Sequence, residues 1–313
     1  MKKLKVGVVG VGYLGKFHAE KYSKIENVEL VGVADTNEEA VFEVAARYNT
    51  KAYTDYKKLI GKIDGVSIVV PTPLHFKVSF DFLSNGVSTL IEKPITSTLK
   101  EADDLINAAE KSKAVIQVGH LERFNPAMEA VKDRIKEPKF IEAHRLSLYK
   151  KRGTDVSVIL DLMIHDIDIV SAFIDSDIKK IDSVGASVIS DYIDIANARL
   201  EFTNGAVANL TASRISAKTE RKMRFFQKNQ YIAIDFANRE ATSTTLLNEG
   251  GLVDLSPIPG ANIEKLVVRQ QDALEAQLRA FTDTLLFGTP CMVTGDCGRK
   301  ALKAALRVME QIK

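Results

Sequence analysis

Cysteine is nearly missing from this chain: Cys291 and Cys297 are the two in 313 residues, and the nearest histidine in sequence is as far away as His165. A disulfide framework or a zinc site therefore has too few ligands to stand on, and no metal is expected. An excess of one charge is missing as well. Lys and Arg number 43 against 41 Asp and Glu, which leaves no field strong enough to hold nucleic acid or an acidic membrane and points to a small-molecule partner. No apolar run approaches the roughly 18 residues of a membrane span. The segment Met1-Lys2-Lys3-Leu4-Lys5 runs straight into a strand-like stretch without the apolar core and cleavage site of a signal peptide. The expectation is a reduced, cytoplasmic protein.

What is present is ordinary for a globular enzyme: 45% hydrophobic and 27% charged residues over a length that favours two domains, with one domain left open. From Leu4 to Val118, short β-branched runs alternate with helical stretches, the pattern of βα units around a parallel sheet. Strands are predicted at Leu4–Val9, Val28–Ala34, Gly65–Val70, Ser88–Ile91 and Ala114–Val118. Helices are predicted at Leu14–Lys24, Asn37–Tyr48, Tyr56–Gly61, His75–Ser84 and Leu99–Ser112. Strands that read as near-continuous apolar runs are buried on both faces.

Beyond Val118 the rhythm turns to longer alternation at Phe140–Tyr149, Ile181–Ile189, Ile193–Phe202, Ala206–Ser213, Met223–Gln227 and Tyr231–Phe236, which reads as an antiparallel sheet with one wet face. Helices are predicted at Asn125–Ile135, Ser157–Ile174, Asp272–Phe287 and Gly298–Lys313, and Gly250–Gly260 reads as a turn-rich loop. The expected fold is an α/β Rossmann domain over residues 1–120 and an α+β domain with a large, mainly antiparallel open sheet over 121–289. The apolar content around Ile193–Leu210 suggests a sheet face buried against another subunit.

The cofactor end is carried by Gly10-Val11-Gly12-Tyr13-Leu14-Gly15, a G-x-G-x-x-G placed where the first strand must turn into the first helix. Gly10 permits the tight turn, Gly12 lets the backbone approach a pyrophosphate, and Gly15 lets the helix pack on the strand, while the helix N-terminus offers amides to phosphate. Asp35 closes the second strand 20 residues after Gly15, where a carboxylate can accept hydrogen bonds from an adenosine ribose. With Thr36-Asn37 following and no arginine to meet a 2′-phosphate, NAD is expected over NADP. The alternative is an ordinary tight turn with Asp35 capping the next helix.

The catalytic end has two parts. Glu92-Lys93-Pro94 stands at the carboxyl end of a buried strand, where open α/β sheets place their ligands; a surface ion pair is the alternative. Asp161, His165 and Asp168 recur at i, i+4 and i+7, which puts three polar groups on one face of an otherwise apolar helix. A buried, satisfied Asp–His pair would also explain that spacing.

With these motifs the chain resembles the superfamily of glucose–fructose oxidoreductases, inositol dehydrogenases and MocA proteins (Gfo/Idh/MocA) over essentially its whole length. Glu92-Lys93-Pro94 is similar to the family's E-K-P motif, and Val70-Pro71-Thr72-Pro73-Leu74-His75 to the loop that lines the nicotinamide side, with Val70 where threonine is commoner. Asp161 to Asp168 is similar to the D-x-x-x-H-x-x-D pattern, although Val158-Ile159-Leu160 stands where many members have Gly-Gly.

The resemblance implies a dehydrogenase with NAD held by Gly10, Gly12, Tyr13, Leu14, Gly15, Asp35, Thr36, Pro71, Thr72, Pro73, His75, Glu92 and Lys93. In it His165 takes the hydroxyl proton, Lys93 stabilises alkoxide charge, and Asp161 orients His165 or shares its proton. His18 packs or caps, and His144 is structural. The family's C-terminal segment, here about 290–313, packs back on the Rossmann domain, and members are homo-dimers or homo-tetramers.

The stretches Val118–Pro126, Phe140–Arg145 and Arg152–Val156 resemble the branch that acts on nucleotide sugars, closest to UDP-N-acetylglucosamine 3-dehydrogenases. Those supply a 3-keto sugar nucleotide to a partner aminotransferase, often toward lipid A. His120, Arg123, Asn125, Arg152, Asp161 and His165 are the implied substrate residues. Arg123, Lys150, Lys151 and Arg152 are candidate cations for a diphosphate, and Lys150–Arg152 reads equally well as a solvated loop. Two rival readings stay open, a polyol, inositol or free-sugar dehydrogenase and a non-catalytic NAD-sensing regulator; the second tends to lose motifs that this chain keeps.

Overall fold

The computed structural model describes residues 3–149, 156–246 and 261–312. The chain forms two compact units, Met1–Leu121 with Asp272–Leu302, and Glu122–Gln271 with Lys303–Lys313. Lys150, Lys151, Arg152 and the Gly250–Gly260 loop lie outside the described residues.

In the first unit, β1 (Leu4–Val9), α1 (Gly15–Lys24), β2 (Val28–Ala34), α2 (Glu38–Arg47), β3 (Lys51–Tyr53), β4 (Gly65–Ile68), α3 (His75–Leu83), β5 (Ser88–Glu92), α4 (Leu99–Ser112) and β6 (Ile116–Gly119) follow one another. The strands pair in parallel in the order β3-β2-β1-β4-β5-β6. This is the doubly wound order of a Rossmann sheet, with its switch point between β1 and β4. The apolar runs are buried as two-sided strands must be: all of β4 and four of the five residues of β5 are buried. Helix starts follow local chemistry. Asn37 accepts from the Ala40 amide at 3.0 Å, and Thr98 with Glu101 forms a capping box on α4.

The sequence reading lacked β3, a three-residue edge strand whose Lys-Ala-Tyr carries no apolar run. The segment Tyr56–Leu59 is a 3₁₀ turn. The C-terminal boundary also moves. The helix Ala273–Phe287, which sequence placed in the second domain, belongs to this unit. Leu278 and Phe281 join the core of Val6, Val8 and Leu90, and the capping Asp272 pairs with Lys21 of α1 at 2.8 Å.

The second unit holds α5 (Pro126–Glu129), β7 (Phe140–Leu146), α6 (Ile164–Phe173), β8 (Ile178–Ala186), β9 (Ile195–Phe202), β10 (Val207–Ser213), β11 (Glu220–Gln227), β12 (Gln230–Asp235), β13 (Glu240–Leu246) and β14 (Ala261–Lys265). The eight strands run β14-β13-β12-β11-β7-β10-β9-β8, antiparallel except for the β7–β10 pair. The sequence missed β13 and β14: Glu-Ala-Thr-Ser-Thr-Thr-Leu alternates small polar residues, with Ala241 and Ser243 inward, and β14 is a mostly exposed edge.

On β9 the period of two puts Ala196, Ala198, Leu200 and Phe202 inside, while Asn197, Arg199 and Glu201 face out. The expected apolar outer face is thus corrected: outward lie polar cross-strand pairs such as Asn197 Nδ2 to Thr211 Oγ1 at 2.9 Å and Arg224 to Glu142 at 3.0 Å. The predicted helix Asn125–Ile135 is two short pieces, α5 and a 3₁₀ turn at Lys132–Arg134, with the buried Val131 between them. Ser157–Ile174 is not uniform either, because Ile159–Met163 is a π turn that leads into α6. Residues from Lys303 on, the last turns of the terminal helix, belong to this unit, not to the first: Ser183 Oγ donates to the Val308 carbonyl at 2.8 Å.

Candidate active site

Five strand ends of the first sheet carry its site. After β1, Gly10 turns with φ +87°, and a Cβ there would stand 2.4 Å from the Val69 carbonyl oxygen. A Cβ at Gly15 would meet the Gly10 carbonyl oxygen at 1.8 Å. The fold therefore explains both of those glycines. It does not explain Gly12, where a Cβ would meet nothing within 4 Å and the open space leaves the backbone accessible to a bound group. Such a group would face the N-terminal turn of α1, whose dipole end favours an anion.

Asp35, after β2, accepts from the Val11 amide at 2.7 Å through Oδ2 and from the Asn37 amide at 2.9 Å through Oδ1. The carboxylate is thereby aimed at the glycine turn, and each oxygen retains lone-pair capacity for ribose hydroxyls. The residues present fit the pyrophosphate and ribose of NAD. Tyr13 and Thr36 are exposed beside them.

The loop after β4 is a 3₁₀ turn, Thr72–Leu74, entered through Pro71. His75 follows it. The buried ring sets Nδ1 2.8 Å from the Pro94 carbonyl and Nε2 2.9 Å from that of Val70. The ring, a donor through one nitrogen in its neutral form, lies between the loop and the Glu92-Lys93-Pro94 corner and ties the two together. Burial lowers the ring's pKa, opposed by the two carbonyls and by Glu92.

Glu92 is no surface ion. Its Oε1 lies 3.3 Å from Nε2 of the fully buried His18, and a Cβ on Gly119 would stand 2.7 to 2.9 Å from its carboxyl group. Burial alone would raise the carboxyl pKa, but His18, Lys93 and His75 outweigh it and hold Glu92 below the usual carboxylate range. Lys93 follows, half-buried, with a cis bond to Pro94. His120, at the carboxyl end of β6, is buried.

In the second unit, Asp161 lies within the π turn and His165 in the first turn of α6, both half-buried, while Asp168 is buried. Arg123 is mostly covered, with Nη1 3.8 Å from Asp168 Oδ2. Asn125 is committed elsewhere: its Oδ1 caps α5 through the Ala127 amide at 3.0 Å, and its Nδ2 donates to Glu122 at 3.0 Å and to the Phe236 carbonyl at 3.3 Å. That amide positions structure and has little left to offer a substrate.

Sequence reasoning missed the groups beneath this helix. Asp166 is buried and accepts both arms of Arg145, Nε at 3.0 Å and Nη2 at 2.7 Å, while Nη1 of Arg145 reaches Glu122 at 2.7 Å. A signal was available: Arg145 occupies the inward phase of β7 set by Ile141 and Ala143, a place where an arginine must have an acidic partner. Likewise His18, expected to pack or cap, is the partner of Glu92.

Comparison with known proteins agrees with these halves. Residues 4–120 match the oxidoreductase family with NAD-binding Rossmann fold, and residues 134–232 match the GFO/IDH/MocA C-terminal domain. The UDP-N-acetylglucosamine 3-dehydrogenase of Acidithiobacillus ferrooxidans is 38% identical over 309 residues, 98% of this chain and 97% of that protein. A solved structure of that enzyme superposes with a TM-score of 0.94 at 37% identity, covering 100% of this chain and 98% of the other. The scyllo-inositol dehydrogenase of Lactobacillus casei, solved with NAD(H) and scyllo-inositol, shares the fold at a TM-score of 0.80 and 20% identity, covering 99% and 97% of the two chains. The chain therefore belongs to the GFO/IDH/MocA family of NAD-binding oxidoreductases.

Proposed function

We propose that this protein is an NAD-dependent dehydrogenase that oxidises the 3-hydroxyl of UDP-N-acetylglucosamine, or of a closely related UDP-sugar, to a ketone. The observation that carries this reading is the near-full-length similarity to UDP-N-acetylglucosamine 3-dehydrogenase, in a sequence that carries Lys93, Asp161 and His165. NAD, when bound, supplies the hydride acceptor. Gly10, Gly12, Gly15 and Asp35 hold and orient it, and Pro71, Thr72 and Pro73 form the loop that His75 braces. His165 takes the hydroxyl proton as general base, Asp161 orients that ring, and Lys93 stabilises charge on the oxygen as the proton leaves. Arg123 and Arg152 bind the diphosphate and His120 the sugar, while Asn125 serves as a positioning residue.

The ketone is an electrophile suited to condensation with an amine, so an aminotransferase is the partner reaction we infer, on a route such as that to lipid A. Among the described residues no helix is long and apolar enough to cross a membrane, which suits work in the cytoplasm on a nucleotide sugar. Exposed Val184, Val188, Ile189 and Tyr192 near the β8 to β9 connection support a homo-dimer or homo-tetramer, which sedimentation would read directly.

Purified protein incubated with NAD and, separately, UDP-N-acetylglucosamine, other UDP-sugars, free sugars and myo-inositol should yield, by mass spectrometry, a product lighter by two hydrogens from the UDP-sugar. Oxidation of free sugars or inositol alone would replace this reading with a polyol or free-sugar dehydrogenase.

A further inference from the structure

Two carboxylates in the second unit share the buried guanidinium of Arg145, Asp166 through two bonds and Glu122 through one. Arg221 approaches Glu122 at 3.6 Å from one side, Asn125 donates to its other oxygen at 3.0 Å, and the Phe236 ring lies 5.8 Å from the Arg145 guanidinium carbon. Both Asp166 oxygens accept from Arg145; burial pushes the carboxyl pKa up, and the Arg145 guanidinium opposes that shift by favouring the anion. Hydrophobic side chains would fill this space at less electrostatic cost. Some other requirement must therefore select the charges.

That requirement is geometric. Arg145 is fixed in the middle of the sheet, because β7 pairs with β10 on one side and with β11 on the other, opposite Ala212 and Arg221. Asp166 sits in the first turn of α6, next in sequence to His165 and just beyond the π turn that contains Asp161. One residue is about 100° of helix rotation, so a carboxylate gripped on the inner side fixes the direction in which its neighbour points. A two-bond grip also fixes rotation about the helix axis, which a single contact would not. A π turn opens the hydrogen-bond ladder by one residue and is rarely stable without outside support. The junction of π turn and α6 is where a slip would misaim Asp161 and His165 together.

We propose that Arg145, acting through Asp166 and backed by Glu122, is the positioning residue that sets the aim of Asp161 and His165. The proposal rests on the reading of those two as the acid–base pair. A displacement of about 1 Å at such groups can cost 100-fold in rate, whereas a merely structural Arg145 would act alike whether or not His165 is present.

The test compares the unaltered protein with Arg145→Lys, His165→Asn and the double variant, measuring kcat and KM for UDP-N-acetylglucosamine and Kd for NAD. Lysine keeps the charge and loses the fork. Arg145→Lys should lower kcat 10- to 100-fold with KM changed less than threefold and NAD affinity less than twofold. In the His165→Asn background the same change should lower kcat less than threefold further, since a misaimed base that is already absent has nothing to lose. Should Arg145→Lys fail to fold, Asp166→Asn, which keeps the shape and breaks the two-bond grip, should show the same split and the same non-additivity. Equal losses in both backgrounds, or a raised KM at unchanged kcat, would overturn the positioning role and leave the acid–base reading intact. An unchanged kcat in His165→Asn alone would overturn the acid–base reading, and this inference with it.

Discussion

Single side chains in the first unit show how far local spacing can be read. The interval from Gly15 to Asp35 is a property of one βα unit, so the carboxylate was legible, and its two backbone contacts at 2.7 and 2.9 Å add what fixes its aim. Asp35→Asn retains one acceptor oxygen and loses the other. NAD should bind at least tenfold more weakly, and the disadvantage of NADP should shrink as the like charge facing a 2′-phosphate disappears; titration calorimetry with both cofactors reads this. Glu92 is different, because its surroundings come from α1, α3 and β6, and no spacing in the chain announces that His18 and Gly119 converge on it. Gly119→Ala would drive a methyl into that carboxylate. The expected result is a loss of about 1–3 kcal/mol in denaturant unfolding, as for other overpacked sites, together with a fall in kcat as Glu92 and the adjoining Lys93 shift. A variant with unaltered stability and rate would remove Glu92 from the site.

At the level of elements, what was legible had a strong period. The apolar runs of β1 and β2 and the helical spacing of α4 fall where the sequence put them, since burial on a fixed face leaves no freedom of register. Elements without a period were lost: β3 is three residues long, and β13 is built from small polar side chains. The segment from Ser157 to Ile174 was half legible. Its apolar face called for a helix, yet nothing in the pattern distinguishes a π turn from an α turn across five residues. The same passage hid Asp166, whose carboxylate lies on the side of the helix away from the spaced Asp161, His165 and Asp168. A consequence for stability follows from the buried charges beneath it. Arg145→Met should cost about 3–5 kcal/mol, since it leaves two buried carboxylates without their cation, whereas replacing Glu122, Arg145 and Asp166 together with apolar residues of matching volume should recover most of that loss. Chemical denaturation of the single and triple variants measures the difference.

For the molecule as a whole, the decisive variable is acid. Several carboxylates among the described residues lie on the surface in pairs that salt screens, such as Glu43 with Arg47 at 3.0 Å, and these contribute little. Asp194 is another matter. It is fully buried, and its Oδ2 accepts from the amides of Val188, Ile189 and Ser190 at 2.8, 2.7 and 2.9 Å, while Oδ1 accepts from the Ser190 hydroxyl at 2.7 Å. Burial opposes its charge, but those donors outweigh burial and hold the carboxyl far below the ordinary aspartate value. A folded-state pKa below the unfolded one means that the unfolded chain takes up the proton first. The stabilisation is therefore complete above about pH 4, the unfolded aspartate range, and is lost as pH falls toward the folded value. Asp194→Asn cannot present two acceptor oxygens to four donors, and should lower stability at pH 7 by about 1–3 kcal/mol. The gap between variant and parent should then narrow steadily below pH 4, because the parent loses in acid what the variant never had. Urea unfolding of both proteins at intervals from pH 7 to pH 3 gives the two curves. Convergence in acid assigns the slope to Asp194, and a constant offset would mean that the loop is held by hydrogen bonds whose strength does not depend on the charge.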